Sequence, residues 1–448
     1  MKRLLAVILA FAAACAEVPN GPDPIKLDFP EIQRFKGESP GPAARPNSEI
    51  ALDFIDLAFR MESGRELPRL TRFEGPITVR VVGGFSQTTL DDLTALLRRL
   101  RSEARIDINL TNAPDANIVI EAVPNRTLQR VAPNAACFVV PRVQTWGELR
   151  AARNSPVINW ATLESREKAA IFIPSDVTPQ EIRDCLHEEL AQALGPLNDL
   201  YRLPDSVFND DNIHAVLTGF DMLILRAYYS PELRNGMTKQ QVAQRLPGIL
   251  ARLNPRGQRP GGRIPSTTSR AWIDAMTVAL GDSASEPRRR QAAARAVAIG
   301  QSLGWTGPRE GFANYAYGRL QIGNDAVLSL GAFNAARRAY SQDPITDIHA
   351  AHISVQLAAF TLIARDADRT IAITSPAIEI ARRHENAALM SLLMMFKAEA
   401  LDLKGDTDAA TALRMDSLGW GLYGFGDRDE VIDRLNEIAS LAPPLPPT

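Results

Sequence analysis

Side chains that could bind a cation or move a proton are concentrated in one stretch, residues 187–211, which reads HEELAQALGPLNDLYRLPDSVFNDD. Its candidate site residues are Glu188, Glu189, Gln192, Asn198 and Asp199. At about 100° per residue, a helix places Glu188 and Gln192 on one face, with Glu189 beside them. Carboxylate and amide oxygens suit calcium or magnesium better than zinc, which prefers nitrogen and sulfur ligands. The stretch therefore favours an oxygen-lined site.

The element that must position these residues is a helix with a clear start and end. Thr178 and Glu181 have the spacing of a capping box, with Pro179 at the first helical position. One face of the helix is apolar and predicts a buried side: Ile182, Leu186, Leu190 and Ala193. Gly195 can end the helix with a positive φ, and Pro196 cannot continue it.

Five short apolar runs predict a sheet on which this helix packs. The runs are residues 76–82, 106–110, 117–123, 137–140 and 169–174. An amphipathic helix starting at Asn47 precedes them, and another helix, capped by Thr88, follows the first strand. A strand, a helix, several strands and the central helix together predict an α/β or α+β domain.

The central stretch also resembles a known class of peptidases. EELAQALGPLND, then SVF at residues 206–208 and LTGFDMLILRAYY from Leu217, is similar to the metzincins and, within them, to the matrixins. Zinc peptidases of this kind use His-Glu-x-x-His because ligands one turn apart meet one metal. The resemblance implies an α+β metzincin-like fold in which a mixed sheet carries the active-site helix. The whole chain is similar to an uncharacterised family of bacterial exported proteins with the same Glu-Glu-x-x-Gln form.

The resemblance implies a role for each position and shows which groups are missing. Glu188, Gln192 and Asn198 stand at the three ligand positions, Glu189 at the general base, Gly195 at the turn after the helix and Phe208 at the methionine of the next turn. The domain contains only two histidines, His187 and His214, so a three-histidine zinc site is impossible. We expect no zinc cofactor, while another divalent metal stays open. Glu189 would be catalytic only in an active enzyme.

Three interpretations of this site are open. In the first, the chain is a pseudo-metallopeptidase whose cleft binds a partner. In the second, it is a metal-dependent hydrolase, a peptidase or amidase with non-histidine ligands. In the third, the polar helix face serves only structure. His187 could substitute for a ligand, although a histidine in such a position more often hydrogen-bonds within the fold.

Residues 1–15, MKRLLAVILAFAAAC, read as an export signal, with two basic residues, a short apolar core and small residues before Cys15. The small residues before Cys15 resemble the lipidation box of bacterial lipoproteins, and Ala16 after it implies the outer membrane, facing the periplasm. A plain secretory signal is the alternative. In an oxidising compartment, Cys137 and Cys185 favour a disulfide over two buried thiols.

Beyond about residue 255, alanine-rich helical periodicity replaces the strand pattern. Gly331, with Ala336 and Tyr340, and Gly405, with Ala398, have offsets that resemble tetratricopeptide repeats and predict stacked helical hairpins. The predicted organisation is a signal peptide (1–15), a flexible tether (16–45), a metzincin-like domain (46–253), a linker (254–268), a helical repeat-like domain (269–440) and a tail (441–448).

The function class follows from charge and from the site. A net charge of −2 argues against a nucleic-acid partner, which would require a basic face. We expect a lipid-anchored binding or scaffold protein for a peptide, a protein or an envelope component, acting through the cleft or the helical surface. The metal-dependent hydrolase is the alternative.

Overall fold

The computed structural model describes residues 29–37, 41–133, 135–262 and 266–442. Its two compact units are a sheet unit, residues 35–268, and a helical unit, which joins residues 29–34 to the chain from residue 269 onward. The predicted export signal and Cys15 lie outside the described residues. Among the described residues, the helices are too short or too polar to cross a bilayer.

The sheet unit is built on five strands, each of which overlaps one predicted run. They are β1 (Ile77–Val82), β2 (Ile108–Leu110), β3 (Ile118–Val123), β4 (Phe138–Pro141) and β5 (Ala169–Pro174). Their order across the sheet is β2-β1-β3-β5-β4. The first four strands in this order run parallel, whereas β4 is an edge strand antiparallel to β5. All six residues of β5 are buried, as expected for a strand covered on both faces.

Seven helices complete the sheet unit in the described residues. They are α1 (Asn47–Phe59), α2 (Gln87–Ser102), α3 (Asn125–Gln129), α4 (Trp146–Ala152), α5 (Pro179–Leu194), α6 (Gly219–Tyr228) and α7 (Lys239–Leu253). Helix α5 packs on β4, β5 and α2. Helix α2 starts two residues earlier than expected, because Ser86 rather than Thr88 is the cap and accepts the N–H of Thr89 at 3.1 Å.

Segments predicted to be connections also pack on the sheet unit. Arg45, in the predicted tether, forms ion pairs with Asp53 and Asp205. Asn254, at the start of the predicted linker, donates its side-chain amide to Asn47 Oδ1 at 3.0 Å. The unit therefore extends past the predicted limits, residues 46 and 253. Proline and glycine content indicates irregular backbone, but it does not reveal which side chains anchor that backbone.

The helical unit consists of nine α-helices in the described residues. They are α8 (Arg270–Leu280), α9 (Glu286–Ser302), α10 (Pro308–Gln321), α11 (Ala326–Tyr340), α12 (Asp347–Ile363), α13 (Ala367–Arg383), α14 (Ala387–Leu403), α15 (Thr407–Phe425) and α16 (Arg428–Ala439). Successive helices from α8 to α15 pack on one another in pairs. The prediction of an α+β region with a mixed sheet, followed by an all-helical region, is confirmed.

The two glycines used to align the predicted repeats occupy different positions. Gly331 lies inside α11, where an added Cβ would meet open space. Gly405 lies in the turn between α14 and α15 and has a φ of +82°. The equivalence predicted from their offsets is therefore wrong. The sequence has glycine at both positions, although only Gly405 requires the left-handed backbone conformation that favours glycine.

Candidate functional site: an acidic cluster on helix α5

The N-terminal half of α5 is held by a capping box and a disulfide. Thr178 Oγ1 accepts the backbone N–H of Glu181 at 3.1 Å, and the Glu181 carboxylate accepts that of Thr178 at 3.0 Å, as the sequence predicts. Further along the helix, Cys185 is bonded to Cys137, the residue before β4. The helix therefore starts at a defined residue and is linked covalently to the edge of the sheet.

The C-terminal end of α5 is held by a buried arginine that the sequence does not indicate. Arg166 donates from Nη1 to the backbone oxygens of Gln192 and Ala193, the latter at 2.8 Å, and from Nη2 to that of Gly195. Its guanidinium carbon lies 4.8 Å from the centre of the Trp160 ring. A cation is favourable here because the last helical carbonyls lack intrahelical partners and carry partial negative charge.

Gly195 ends the helix for a different reason from the one expected. Its φ is −173°, which is extended backbone open to any residue, so the prediction of a positive φ is wrong. A Cβ at this position would lie 3.0 Å from ring atoms of Tyr228 in α6. Glycine is therefore suited to this position because another helix approaches it closely.

The turn at residues 206–208 is tied to the first turn of α6 through Asp221. Ser206 Oγ donates to Asp221 Oδ1 at 2.5 Å, and the Thr218 N–H donates to Oδ2 at 2.8 Å. Burial raises the pKa of Asp221 to about 6, although these hydrogen bonds lower it. Phe208 is completely buried in the core of the unit. The turn is therefore a fixed structural element next to the polar loop.

Five carboxylates beside α5 are linked by electrostatic repulsion that raises pKa values within the group, and we call them the acidic cluster: Glu62, Glu188, Glu189, Asp199 and Asp210. Glu62 is exposed, whereas Glu188, Asp199 and Asp210 are half-buried. Glu189 is only 4% exposed. The cluster therefore leads from solvent at Glu62 to a buried end at Glu189.

Burial and mutual repulsion disfavour the charged form of these groups. Burial raises the pKa of Glu188 well above its usual range, and Glu189 raises it further. Burial also raises the pKa of Glu189 and of Asp199, and each has another carboxylate of the cluster as its largest charged neighbour. The pKa of Asp210 rises to about 7, through burial and then through Glu62. Near neutral pH the cluster therefore holds protons that isolated carboxylates would release.

The cluster has too few hydrogen-bond donors for its oxygens. The Val139 N–H, on β4, donates to the Glu189 carboxylate, and Gln192 Nε2 donates to Asp199 Oδ2 at 3.3 Å. Glu189 Oε2 and Asp199 Oδ1 are buried and have no hydrogen-bond partner among the residues that the structure describes. An unsatisfied buried polar group costs on the order of 1–3 kcal/mol. A cation entering the cluster would remove this cost.

Some of the predicted site residues belong to the cluster, and others do not. Glu188, Glu189 and Gln192 lie together on α5, as the helical spacing predicts. Asn198, at the third ligand position, is instead tied to α1, because its Nδ2 donates to the backbone oxygen of Asp56 at 3.0 Å. His187 is buried, and its Nδ1 accepts the N–H of Leu217 at 3.0 Å. Burial lowers the pKa of His187 well below its usual range, so it is a neutral structural residue.

Two members of the cluster escape sequence reasoning. Glu62 is distant from α5 in sequence, and it is held nearby because its N–H donates to the backbone oxygen of Leu197 at 3.1 Å. Nothing in the sequence distinguishes Glu62 from other glutamates. Asp210 is adjacent to Asp211 in the sequence, and this acidic pair lacks the alternating ligands and the glycine of a calcium-binding loop. In the structure Asp211 is engaged locally, for example with Asn209 Nδ2 at 2.7 Å.

The donors at the ligand-equivalent positions do not suit zinc. A catalytic zinc site has three nitrogen, sulfur or carboxylate ligands and one open position, whereas Gln192 and Asn198 supply neutral amides that are already engaged. Across the described chain, no three His, Cys, Asp or Glu side chains form a group that could hold a metal ion. The chemistry that the arrangement offers is proton exchange and the binding of a positive group.

Comparison with known protein families gives a match. Residues 47–248 match the family model described as "Protein of unknown function (DUF2927)". The match covers the whole sheet and the acidic cluster, and it agrees with the prediction of an uncharacterised family. The sequence matches no curated protein. It likewise matches no solved structure.

Proposed function

We propose that the sheet unit is a metzincin-like fold that works as a binding module, and that the acidic cluster receives a positively charged group of a peptide or protein partner. The group is an amino-terminal ammonium, a lysine ammonium or an arginine guanidinium. The resemblance to metzincins is supported by the order of α5, the exit at Gly195, the turn at residues 206–208 and α6.

One observation supports this proposal: Glu189 Oε2 is a buried carboxylate oxygen without a hydrogen-bond partner in the described residues, and beyond burial the charges of Asp199 and Glu62 raise the pKa of Glu189 further. A buried acidic group of this kind is stabilised by a donor that also carries positive charge. Ammonium and guanidinium groups supply both. The half-buried Glu188 and exposed Glu62 give such a group a path from solvent.

In this proposal the positive group of the partner, and not a whole added strand, occupies the acidic cluster. Strand β4 is at the edge of the sheet, but its Val139 N–H already donates to Glu189 and Pro141 has no N–H. This edge therefore lacks the donors that an added strand needs, and we expect the partner to be recognised through its cationic group.

Binding of short labelled peptides to the full-length protein tests this function. The peptides share one sequence and differ at a central residue, which is lysine, arginine, norleucine or glutamate. We expect fluorescence anisotropy to show tighter binding of the lysine and arginine peptides, and loss of this preference in Glu189→Gln. Glu164→Gln is the matched control, because the Glu164 side chain is 87% exposed in the same unit. Equal affinity for all four peptides would overturn the proposal.

Calorimetry with calcium, magnesium and zinc distinguishes the proposed binding function from the competing function, a metal-dependent hydrolase with oxygen ligands. Stoichiometric binding of one of these ions, abolished by Glu188→Gln, together with peptide cleavage, would favour the hydrolase. We expect neither result, because Gln192 and Asn198 are held by other parts of the chain.

We also propose that the protein is exported and anchored through a lipid on Cys15 to the outer membrane, facing the periplasm. The signal-like residues 1–15 support export, and a disulfide suits an oxidising compartment. Incorporation of labelled palmitate into the wild type but not into Cys15→Ser would support the anchor. A protein released into the periplasm without label would contradict it.

A further inference from the structure

The helical unit contains a pocket that belongs to neither the sheet nor the acidic cluster. It encloses about 200 Å³ between α11, α12 and α13. The residues on its walls recur one or two helical turns apart and so form one stripe on each helix: Leu330 and Arg337 on α11, Leu357 and Phe360 on α12, and Arg369 and Ile373 on α13. The pocket is therefore a regular product of helix packing.

Contacts with buried neighbours fix two residues that line the pocket, Phe360 and Thr361. The Phe360 ring packs edge-on against Phe333, with 6.3 Å between ring centres, and Phe333 is completely buried. Beside it, Thr361 Oγ1 lies 2.7 Å from Thr370 Oγ1, and Thr370 is also completely buried. Phe360 and Thr361 are therefore fixed before a ligand arrives, and binding would need little ordering of the protein.

Apolar side chains continue from the pocket onto the surface of α11. Leu330 is 37% exposed, and Val327, one turn earlier on the same stripe, is 82% exposed. Leu328 and Ile363 are 47% and 43% exposed. Large apolar side chains exposed around a concave site are typical of surfaces that bind proteins.

The rim of the pocket is positively charged. Arg337 and Arg369 are both exposed, and their guanidinium groups form no ion pair within the described residues. By contrast, Arg383 and Arg414 of the same unit are paired with Asp347 and with Glu399. The one acidic group on the rim, Asp366, accepts the N–H of Arg369 as the cap of α13. A ligand with a negative group complements this rim.

We infer that this pocket binds a segment of a partner protein that inserts an apolar side chain of leucine or phenylalanine size and places a carboxylate beside Arg337 and Arg369. The size of the pocket favours a side chain, because pockets for whole small molecules are usually about 300–1,000 Å³. The apolar residues next to it supply further contact for the rest of the segment. The two arginines supply the preference for acidic segments.

Selection from a random peptide library displayed on phage, with the full-length protein as bait, tests this inference. We expect the enriched peptides to combine Leu, Ile, Met or Phe with a nearby Asp or Glu. The best peptide, made synthetically, should bind about tenfold more weakly to the double variant Arg337→Glu/Arg369→Glu. Arg288→Glu/Arg295→Glu is the matched control, because it makes the same change of charge at exposed positions on α9, which does not line the pocket.

A second variant tests the pocket itself without a change of charge. Ala364 is exposed and lines the pocket, so Ala364→Trp should fill the space and abolish binding of the selected peptide while the thermal unfolding curve stays that of the wild type. Several outcomes would overturn the inference: no enrichment over a blank surface, enrichment of peptides without acidic residues, or a selected peptide that ignores both variants. A dimer in light scattering that the same variants dissociate would assign the pocket to a second copy instead, and would also overturn it.

Discussion

Gln192 donates its side-chain amide to the carboxylate of Asp199 over 3.3 Å, from the last turn of α5 to the loop that follows it. Gln192 stands where the metzincin resemblance implies a zinc ligand, and here it serves a neighbouring carboxylate. The polar groups around α5 thus form an acidic cluster in which two buried carboxylate oxygens have no hydrogen-bond partner among the described residues. The stability of the fold and its affinity for a cation depend on how those oxygens and helix α5 are held.

The acidic cluster makes stability depend on pH. The pKa of Asp210 is raised to about 7 by burial and by Glu62, so the native state binds more protons than the unfolded state between about pH 4 and 7. This contribution is present at low pH and is lost as pH rises through 7. Glu188→Gln/Asp210→Asn should therefore be more stable than the wild type by about 1–2 kcal/mol at pH 8 and equal to it near pH 4.

Urea unfolding of both proteins at several pH values measures this difference. The comparison with the variant is needed because burial lowers the pKa of His187 and of His352, and those groups oppose the trend in both proteins. A variant that is less stable than the wild type at pH 8 would contradict this prediction, because it would show that other groups of the protein stabilise the charged form of these carboxylates.

Arg166 should be essential for the stability of α5. Arg166→Met leaves the buried backbone oxygens of Gln192, Ala193 and Gly195 without this donor, which should cost about 3 kcal/mol of unfolding free energy. Arg142→Met is the control, since Arg142 also donates to backbone oxygens but is exposed and should cost less than about 1 kcal/mol. Equal losses in chemical denaturation would refute the role given to Arg166.

The disulfide should stabilise the fold and the site together. Cys137 and Cys185 are 48 residues apart in sequence, and a closed loop of this length corresponds to about 4 kcal/mol of chain entropy at 25 °C. Cys137→Ala/Cys185→Ala should lose about this amount in urea unfolding. It should also bind the lysine peptide more weakly, because β4 and α5 are no longer joined. An unchanged affinity for the lysine peptide would show that the binding site does not depend on the disulfide.

His187 should matter for folding and not for binding. His187→Ala leaves the N–H of Leu217 unpaired in the core, at a cost of about 2 kcal/mol. Its affinity for the lysine peptide should equal that of the wild type below the unfolding temperature. If affinity falls while stability is kept, His187 contacts the ligand and its structural assignment is wrong.

Sequence reasoning succeeded where the controlling residues are close together in the chain. The capping box at Thr178, the five strands and the shared face of Glu188 and Gln192 follow from spacing alone. It failed where a partner comes from elsewhere in the chain. Arg166 reaches α5 across a strand, and Glu62 reaches it from the end of α1.

The role of Gly195 shows the same limit. Glycine before proline at the end of a helix predicts a positive φ, whereas the structure has an extended residue with an aromatic ring against it. The ring belongs to Tyr228, in a different helix. No local pattern contains that information, since close approach is set by tertiary packing.

Proton release during peptide binding tests the central claim most directly. A cation entering carboxylates with raised pKa values must displace protons, so calorimetry of the lysine peptide at pH 7, in buffers of different ionisation enthalpy, should show about one proton released per peptide bound. We expect this release to fall sharply in Glu189→Gln and to persist in Glu164→Gln. Tight binding of the lysine peptide with no proton release, or with the same release in Glu189→Gln, would contradict the account.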